Sequence, residues 1–352
     1  MKILLLGGTG AMGVHLGKIL AEKKHQVFIT SRRSCPADGN IQFIQGNAHD
    51  DHFIHSLLTE QWDVIVDFMI YNTSEFKKRL QVLLAGTRQY IFLSSSRVYA
   101  ESVDPITEDS PRLLDVCQDQ EYLKTDEYAL TKARQEDMLR NSGSRNWTIV
   151  RPYITFGEAR LQLGTLEKEH WLAPCLRGMP IVFSKDIISK KTTLTYGYDV
   201  ARGIAALCGQ EEALGEAFHI TGSQSFTWQE IFDLYLDILE KHLGRRPPVL
   251  LTEKSMQLSS AGKYQVLYDR LYDRTFDNSK ICRFMPEESF HDVLEKLRAC
   301  LEAFLVNPTF LPIGVVQQAQ LDRICKVHTP LHFWDSWKKK IKYLLARYII
   351  HV

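Results

Sequence analysis

The chain has 352 residues, 45% of them hydrophobic and 24% charged, and 43 Lys and Arg against 42 Asp and Glu leave a formal charge of +1. A chain of this length buries a sizeable core in about two folded units, and its apolar content without charge excess excludes disorder. Near-neutral charge argues against a nucleic-acid binder held by bulk electrostatics.

From the first residue to about Val150, short apolar runs alternate with longer helix-compatible stretches. This is the βαβ pattern of a doubly wound parallel sheet covered on both faces. Strands are expected at residues 2–6, 26–30, 41–44, 64–68, 90–93 and 148–150, a first helix from about Val14, and one long charged helix over 123–140. After Arg151-Pro152 the pattern loosens into loops. A helix over 228–243 follows Phe226-Thr227 and stops at Gly244-Arg245-Arg246-Pro247-Pro248. Near the end, Trp334, Trp337, Ile341, Leu344 and Tyr348 recur at helical spacing beside Lys338, Lys339, Lys340, Lys342 and Arg347. Such a stripe suits burial against its own domain or a second copy of the chain, and alternatively a weak peripheral contact with an anionic membrane.

The turn after the first strand reads Gly7-Gly8-Thr9-Gly10-Ala11-Met12-Gly13. Glycines at 7, 10 and 13 meet three needs: a tight turn, close approach of backbone N–H groups to a diphosphate, and close helix–strand packing. Thr9, Ala11 and Met12 complete this expected dinucleotide cradle. The second strand ends in Thr30-Ser31-Arg32-Arg33, where many NAD sites carry an acid for the ribose hydroxyls. Guanidinium groups there suit a 2′-phosphate, which favours NADP(H) over NAD(H). Further on, Leu93-Ser94-Ser95-Ser96 places hydroxyls at the C-terminal end of a strand, and Tyr128-Ala129-Leu130-Thr131-Lys132 places a phenol and an ammonium on one helix face. A phenol close to an ammonium gives up its proton more readily, which makes Tyr128 a candidate acid/base at a carbinol or carbonyl oxygen.

Together these motifs resemble the extended short-chain dehydrogenase/reductase family, in particular its nucleotide-sugar epimerases and reductases. The resemblance spans about residues 1–243. Its further landmarks are Val98-Tyr99, Val150-Arg151-Pro152, Phe156-Gly157, Tyr198-Asp199-Val200-Ala201 and Thr227-Trp228. It implies an α/β Rossmann-type doubly wound parallel sheet over residues 1–155 and a smaller C-terminal substrate domain over 156–325. Some segments of that domain return to the sheet, and a basic amphipathic tail follows over 326–352. It also implies a catalytic set of Ser95, Tyr128 and Lys132, with Lys132 holding the nicotinamide ribose and Asn47 at the adenine end. Departures are Asn47 in place of an aspartate, Phe68-Met69-Ile70 in place of a small-residue segment, Phe156 in place of a tyrosine, and a loose match beyond about residue 250.

The dehydratases of this family carry Asp-Glu directly after the catalytic hydroxyl, where this chain has Ser96-Arg97, so dehydration is not expected. The leading expectation is a reductase of a keto group on a nucleotide-activated sugar, a dTDP-4-keto-6-deoxyhexose of surface-polysaccharide synthesis. The alternatives are an NAD-dependent epimerase of nucleotide sugars and a catalytically idle NAD(P)-binding interaction protein. Seven scattered cysteines, odd in number and never in a C-x-x-C pair, argue against disulfides and zinc, and point to the cytoplasm. His49, His52 and His55 lack the acids or thiols that would complete a metal site. No apolar run reaches the roughly 18–20 residues that span a bilayer. Asp199 is expected to cap a helix and Arg151 to anchor a strand end.

Overall fold

Each strand of the first half carries apolar residues on both sides, and a strand of that kind is stable only inside a sheet covered on both faces. In the computed structural model, which describes residues 1–258 and 262–349, seven such strands pair in parallel. They are β1 (Lys2–Leu6), β2 (Gln26–Ser31), β3 (Ile41–Gln45), β4 (Trp62–Asp67), β5 (Thr87–Leu93), β6 (Trp147–Pro152) and β7 (Glu216–Ile220), in the order β7-β6-β5-β4-β1-β2-β3. The chain runs outward from β1 to β3 and then restarts at β4 on the other side, so the order reverses between β1 and β4. Ligands of open α/β sheets bind beyond the strand ends at such a reversal.

The period of two along each strand sorts its side chains into two cores. From β1, Ile3 and Leu5 join Leu16, Ile19 and Leu20 of α1 (Ala11–Glu22) on one face. Leu4 and Leu6 go to the opposite face, with Ile54 of α2 (Asp51–Leu57), Leu80 and Leu83 of α3 (Thr73–Ala85) and Leu139 of α4 (Tyr128–Arg140). A further helix, α5 (Gly197–Leu207), adds Val200 and Ile204 to the first core. The strand β7, from the later part of the chain, completes the sheet beside β6.

Several expectations are corrected. Helix α1 starts at Ala11 rather than near Val14, because glycine at 8 and 13 lets its first turn lie directly on the preceding loop. The long helix expected over 123–140 is two helices, Gln120–Leu123 and α4. Glu127 breaks it by turning its carboxylate onto the Ala129 N–H, which caps α4 and makes Tyr128 its first residue. Asp199 is no cap: it lies inside α5, buried, and accepts hydrogen bonds from the His291 backbone N–H (3.0 Å) and ring (2.7 Å).

The chain forms two compact units, each discontinuous. The sheet unit comprises Met1–Gly157, Thr193–Ser225 and Arg274–Val293. The second unit comprises Glu158–Thr192, Phe226–Asp273 and Leu294–Val352. Within it lie a parallel strand pair, Ile181–Ser184 with Val249–Thr252, and helix α6 (Trp228–Leu243), which Thr227 and Glu230 close with a reciprocal capping box and Gly244 ends in the left-handed region. Its last helices are α7 (Val315–Ile324) and α8 (Trp337–Tyr348). The tail does dock on its own unit, but through Tyr343, Ala346 and only Trp334 of the expected stripe. Trp334 precedes α8 and is buried, whereas Trp337, Ile341, Leu344 and Tyr348 are exposed. Residues 350–352 of the expected tail lie outside the described residues.

A Cβ on Gly13 would lie 2.4 Å from the Gly8 carbonyl oxygen. Backbone cannot yield there as a side-chain tip could, so Gly13→Ala is expected to cost about 1–3 kcal/mol. The check is a lower urea midpoint at unchanged slope.

Candidate active site

The glycine turn is shaped by backbone needs. Gly7 has φ +68° and leaves β1 in a conformation that side chains resist. Its N–H donates to the Thr30 hydroxyl at 2.8 Å, which ties the turn to the end of β2. A Cβ at Gly8 would fall 2.8 Å from that of Leu5, so the turn also rests directly on the sheet. Gly10 is the N-cap of α1 and supplies no side-chain partner, so the first N–H groups of the helix are left for an external anion.

Beside this turn lies a cavity of about 260 Å³. Gly7 and Thr9, the end of β2 from Thr30 to Arg32, the Gly46–His49 loop and Met69 line it. Of the residues expected to hold a cofactor, Gly7, Thr9, Arg32 and Asn47 meet here, whereas Gly10, Ala11, Met12, Gly13 and Arg33 do not line it. Arg33 instead donates its backbone N–H to the Ser31 hydroxyl (3.2 Å). Asn47 accepts from the His49 N–H at 3.1 Å. The lining therefore includes Arg32 and no acidic residue. An adenosine phosphate fits this donor set.

The chemistry-bearing residues stand at the ends of β4 and β5 and on α4. Ser95 follows β5 and accepts from the Arg97 N–H at 3.2 Å, capping a single turn over Ser96–Val98. Arg97 then pairs with Glu127 (2.6 Å) and lays its guanidinium 5.5 Å from the centre of the Tyr128 ring. Tyr128 is partly exposed. Lys132, one turn on, is buried, with Nζ 6.0 Å from the Tyr128 ring centre and 4.5 Å over Phe92. Nζ donates to the Leu93 carbonyl at 2.7 Å, so α4 is pinned to the end of β5. Burial pushes the Lys132 ammonium down to about 8, with the Asp67 and Glu136 carboxylates pulling it back up.

Those two carboxylates are residues that sequence reasoning missed. Asp67 ends β4 fully buried and accepts from the Tyr90 hydroxyl (2.8 Å) and the Met69 N–H (2.9 Å); burial raises its carboxyl above the usual range. An acid closing the apolar run Val64-Ile65-Val66 was its signal. Glu136 sits four residues after Lys132 on the same helix face. It accepts from the Ser94 hydroxyl (2.6 Å) and from Arg151 Nε and Nη2 (2.8 and 2.7 Å). Burial alone would raise the Glu136 carboxyl, but Arg151, the Ser94 hydroxyl and Arg112 together hold the group below its ordinary value. Arg151 also donates to the Tyr99 hydroxyl (2.8 Å), itself 3.2 Å from the buried His219 ring. The expected strand-end anchor is thus a bidentate ion pair joining α4 to β6.

Residues 3–221 match the model of the NAD dependent epimerase/dehydratase family. The chain belongs to this family. Curated relatives include the Arabidopsis thaliana chloroplast stem-loop binding protein of 41 kDa b, 28% identical over 244 residues, which cover 64% of this chain and 60% of that protein. Another is the 2'-dehydrokanamycin reductase of Streptomyces kanamyceticus, 22% identical over 66% of this chain and 65% of that protein. The chain thus spans under two thirds of the length of either. Among solved structures, the Bordetella bronchiseptica enzyme WbmH in complex with NAD+ shares the fold at a TM-score of 0.67 and 16% identity, over 87% of this chain and 99% of that one. The UDP-glucuronic acid 4-epimerase of Bacillus cereus in complex with NAD gives 0.64 and 18% over the same shares.

Glu136→Gln leaves the buried Arg151 guanidinium without its anion, and is expected to cost about 3–5 kcal/mol in chemical denaturation. Because the Glu136 carboxyl is held below its ordinary value, its stabilisation is complete above the unfolded carboxyl pKa and lost as pH falls through the folded one. The stability gap between wild type and variant should therefore close in acid.

Proposed function

We propose that this protein reduces a keto group on a nucleotide-linked sugar with NADPH, its substrate a dTDP-4-keto-6-deoxyhexose of surface-polysaccharide synthesis. The observation that carries the cofactor half of this reading is the cavity at the end of β2, whose wall offers Arg32 and no carboxylate. A guanidinium there pairs with a 2′-phosphate, whereas a bare ribose is better served by an acid. The glycine turn fits the same group: Gly7, with its positive φ, lines the cavity, and the α1 N-terminus is left for the diphosphate. The sugar half rests on the family and on the reductase among the relatives.

When bound, the nicotinamide supplies a hydride to the carbonyl carbon. Ser95 would donate a hydrogen bond to the carbonyl oxygen, and Tyr128 would deliver a proton to that oxygen as negative charge develops on it. Lys132, desolvated and held on the Leu93 carbonyl, brings a fixed positive charge beside Tyr128 and would hold the nicotinamide ribose through its remaining N–H groups. Arg97 adds a second cation at the Tyr128 ring, positioned by Glu127. Ser95 and Lys132 are buried and Lys132 is tied to the Leu93 carbonyl, so these two groups would need little reorganisation when charge appears.

The second reading, an epimerase that keeps its nicotinamide through two half reactions, is favoured by the solved neighbours crystallised with NAD. Mass spectrometry of nucleotides that co-purify separates the two. An empty or exchanging site with NADPH oxidation supports the reductase, while retained NAD with interconversion of UDP-hexose isomers overturns it.

Arg32→Ala should weaken NADPH about tenfold while leaving NADH nearly unchanged, as read by fluorescence titration. Tyr128→Phe should lower kcat by about 100- to 10,000-fold with NADPH affinity kept, measured as loss of the reduced-nicotinamide absorbance. Unaltered biological output of that variant would instead point to an idle binding protein.

A further inference from the structure

Helix α8 reads Trp-Lys-Lys-Lys-Ile-Lys-Tyr-Leu-Leu-Ala-Arg-Tyr and contains no acidic residue. One face is occupied. The Tyr343 hydroxyl donates to Asp322 of α7 at 2.5 Å, the Tyr343 ring packs 5.5 Å from that of Trp334, and Ala346 is buried beside them. The opposite face is apolar and bare: Trp337 is 76%, Ile341 52% and Tyr348 56% exposed, with Leu344 and Leu345 exposed between them.

At about 100° per residue these five side chains fall within a sector roughly 100° wide, with Lys338 and Lys342 along one border and Lys340 and Arg347 along the other. Lys340 and Arg347 lean over the rings of Trp337 (5.5 Å) and Tyr348 (5.0 Å), so their stems extend the apolar surface; the Lys340 charge stays at its rim, while the Arg347 guanidinium also donates to the Val327 carbonyl (3.1 Å). Lys339 is tied to Asp335 at 2.8 Å, but among the described residues Lys338, Lys340 and Lys342 make no ion pair.

We infer that this face of α8 docks the protein on an anionic phospholipid bilayer, the helix lying in the interface with its axis parallel to the membrane plane. An apolar strip bordered on both sides by cations, with Trp and Tyr at the strip, matches the layering of acyl chains, headgroups and phosphates at such a surface. Charge decides against a second copy paired through the same face, because that arrangement sets lysine borders against lysine borders with no carboxylate on either helix. The inference is independent of which sugar the enzyme acts on.

The test is sedimentation of the purified full chain with vesicles. It should pellet with phosphatidylcholine mixed with phosphatidylglycerol and stay in solution with phosphatidylcholine alone, and raising the salt to about 0.5 M should release it. Lys338→Gln with Lys342→Gln should weaken binding about tenfold. Trp337→Ser with Ile341→Ser, both at exposed sites, should abolish it with the circular dichroism spectrum unchanged. Failure to pellet with anionic vesicles, equal binding to neutral ones, or a dimer in solution that Trp337→Ser dissociates would each overturn the inference.

Discussion

Parallel strands cannot be joined by hairpins, and every other feature of the sheet unit follows from that constraint. Each crossover must carry the chain back along a face, so helices cover both sides and all seven strands end at the same edge. Residues distant in sequence are thereby gathered: the Gly7 turn, the Ser31-Arg32 corner, Asp67 and Ser95 all lie at strand ends on that edge. The reversal of order between β1 and β4 opens the space that the glycine turn borders.

Around α4 the dominant physics is the management of buried charge. Lys132 is one ammonium in a dry region with Asp67 and Glu136 as its nearest anionic influences, and Glu136 is in turn bound to Arg151. Lone buried charges of this kind would be expelled or neutralised; paired and hydrogen-bonded, they persist. The Glu136–Arg151 pair also has a geometric effect, since it joins the helix carrying Tyr128 and Lys132 to β6, while the Lys132 ammonium joins it to β5. Tyr128 is then held by two attachments of its helix and by the Glu127 cap at its start.

Most of the sheet was legible because burial on both faces forces long apolar runs, and six strands were expected within a few residues of where they lie. The glycine turn was legible for a similar reason, since few chemistries require glycine at those three places between a strand and a helix. Less visible was the break before Tyr128: Lys124, Asp126 and Glu127 are compatible with a helix, and the turn of Glu127 onto its own helix end stops it. The stripe of the last helix was visible, but its burial was not. Five aromatic and aliphatic residues at helical spacing say that a face exists, and the docked side proved to be the one carrying Tyr343 and Ala346.

The sequence by itself determined the alternation of strands and helices, the glycine turn between β1 and α1 and the nearness of Tyr128 to Lys132 on one helix, because each depends on residues near one another along the chain. Which of Arg32 and Arg33 faces the cavity, which carboxylates share a dry space with Lys132, and which side of α8 is covered were decided only by tertiary structure. Each depends on what lies across from a residue, and local periodicity carries no information about that. In the same way a formal charge of +1 conceals an arginine among the residues lining the cavity and a lysine-bordered helix in the other unit, since a sum over the chain is blind to where charges stand.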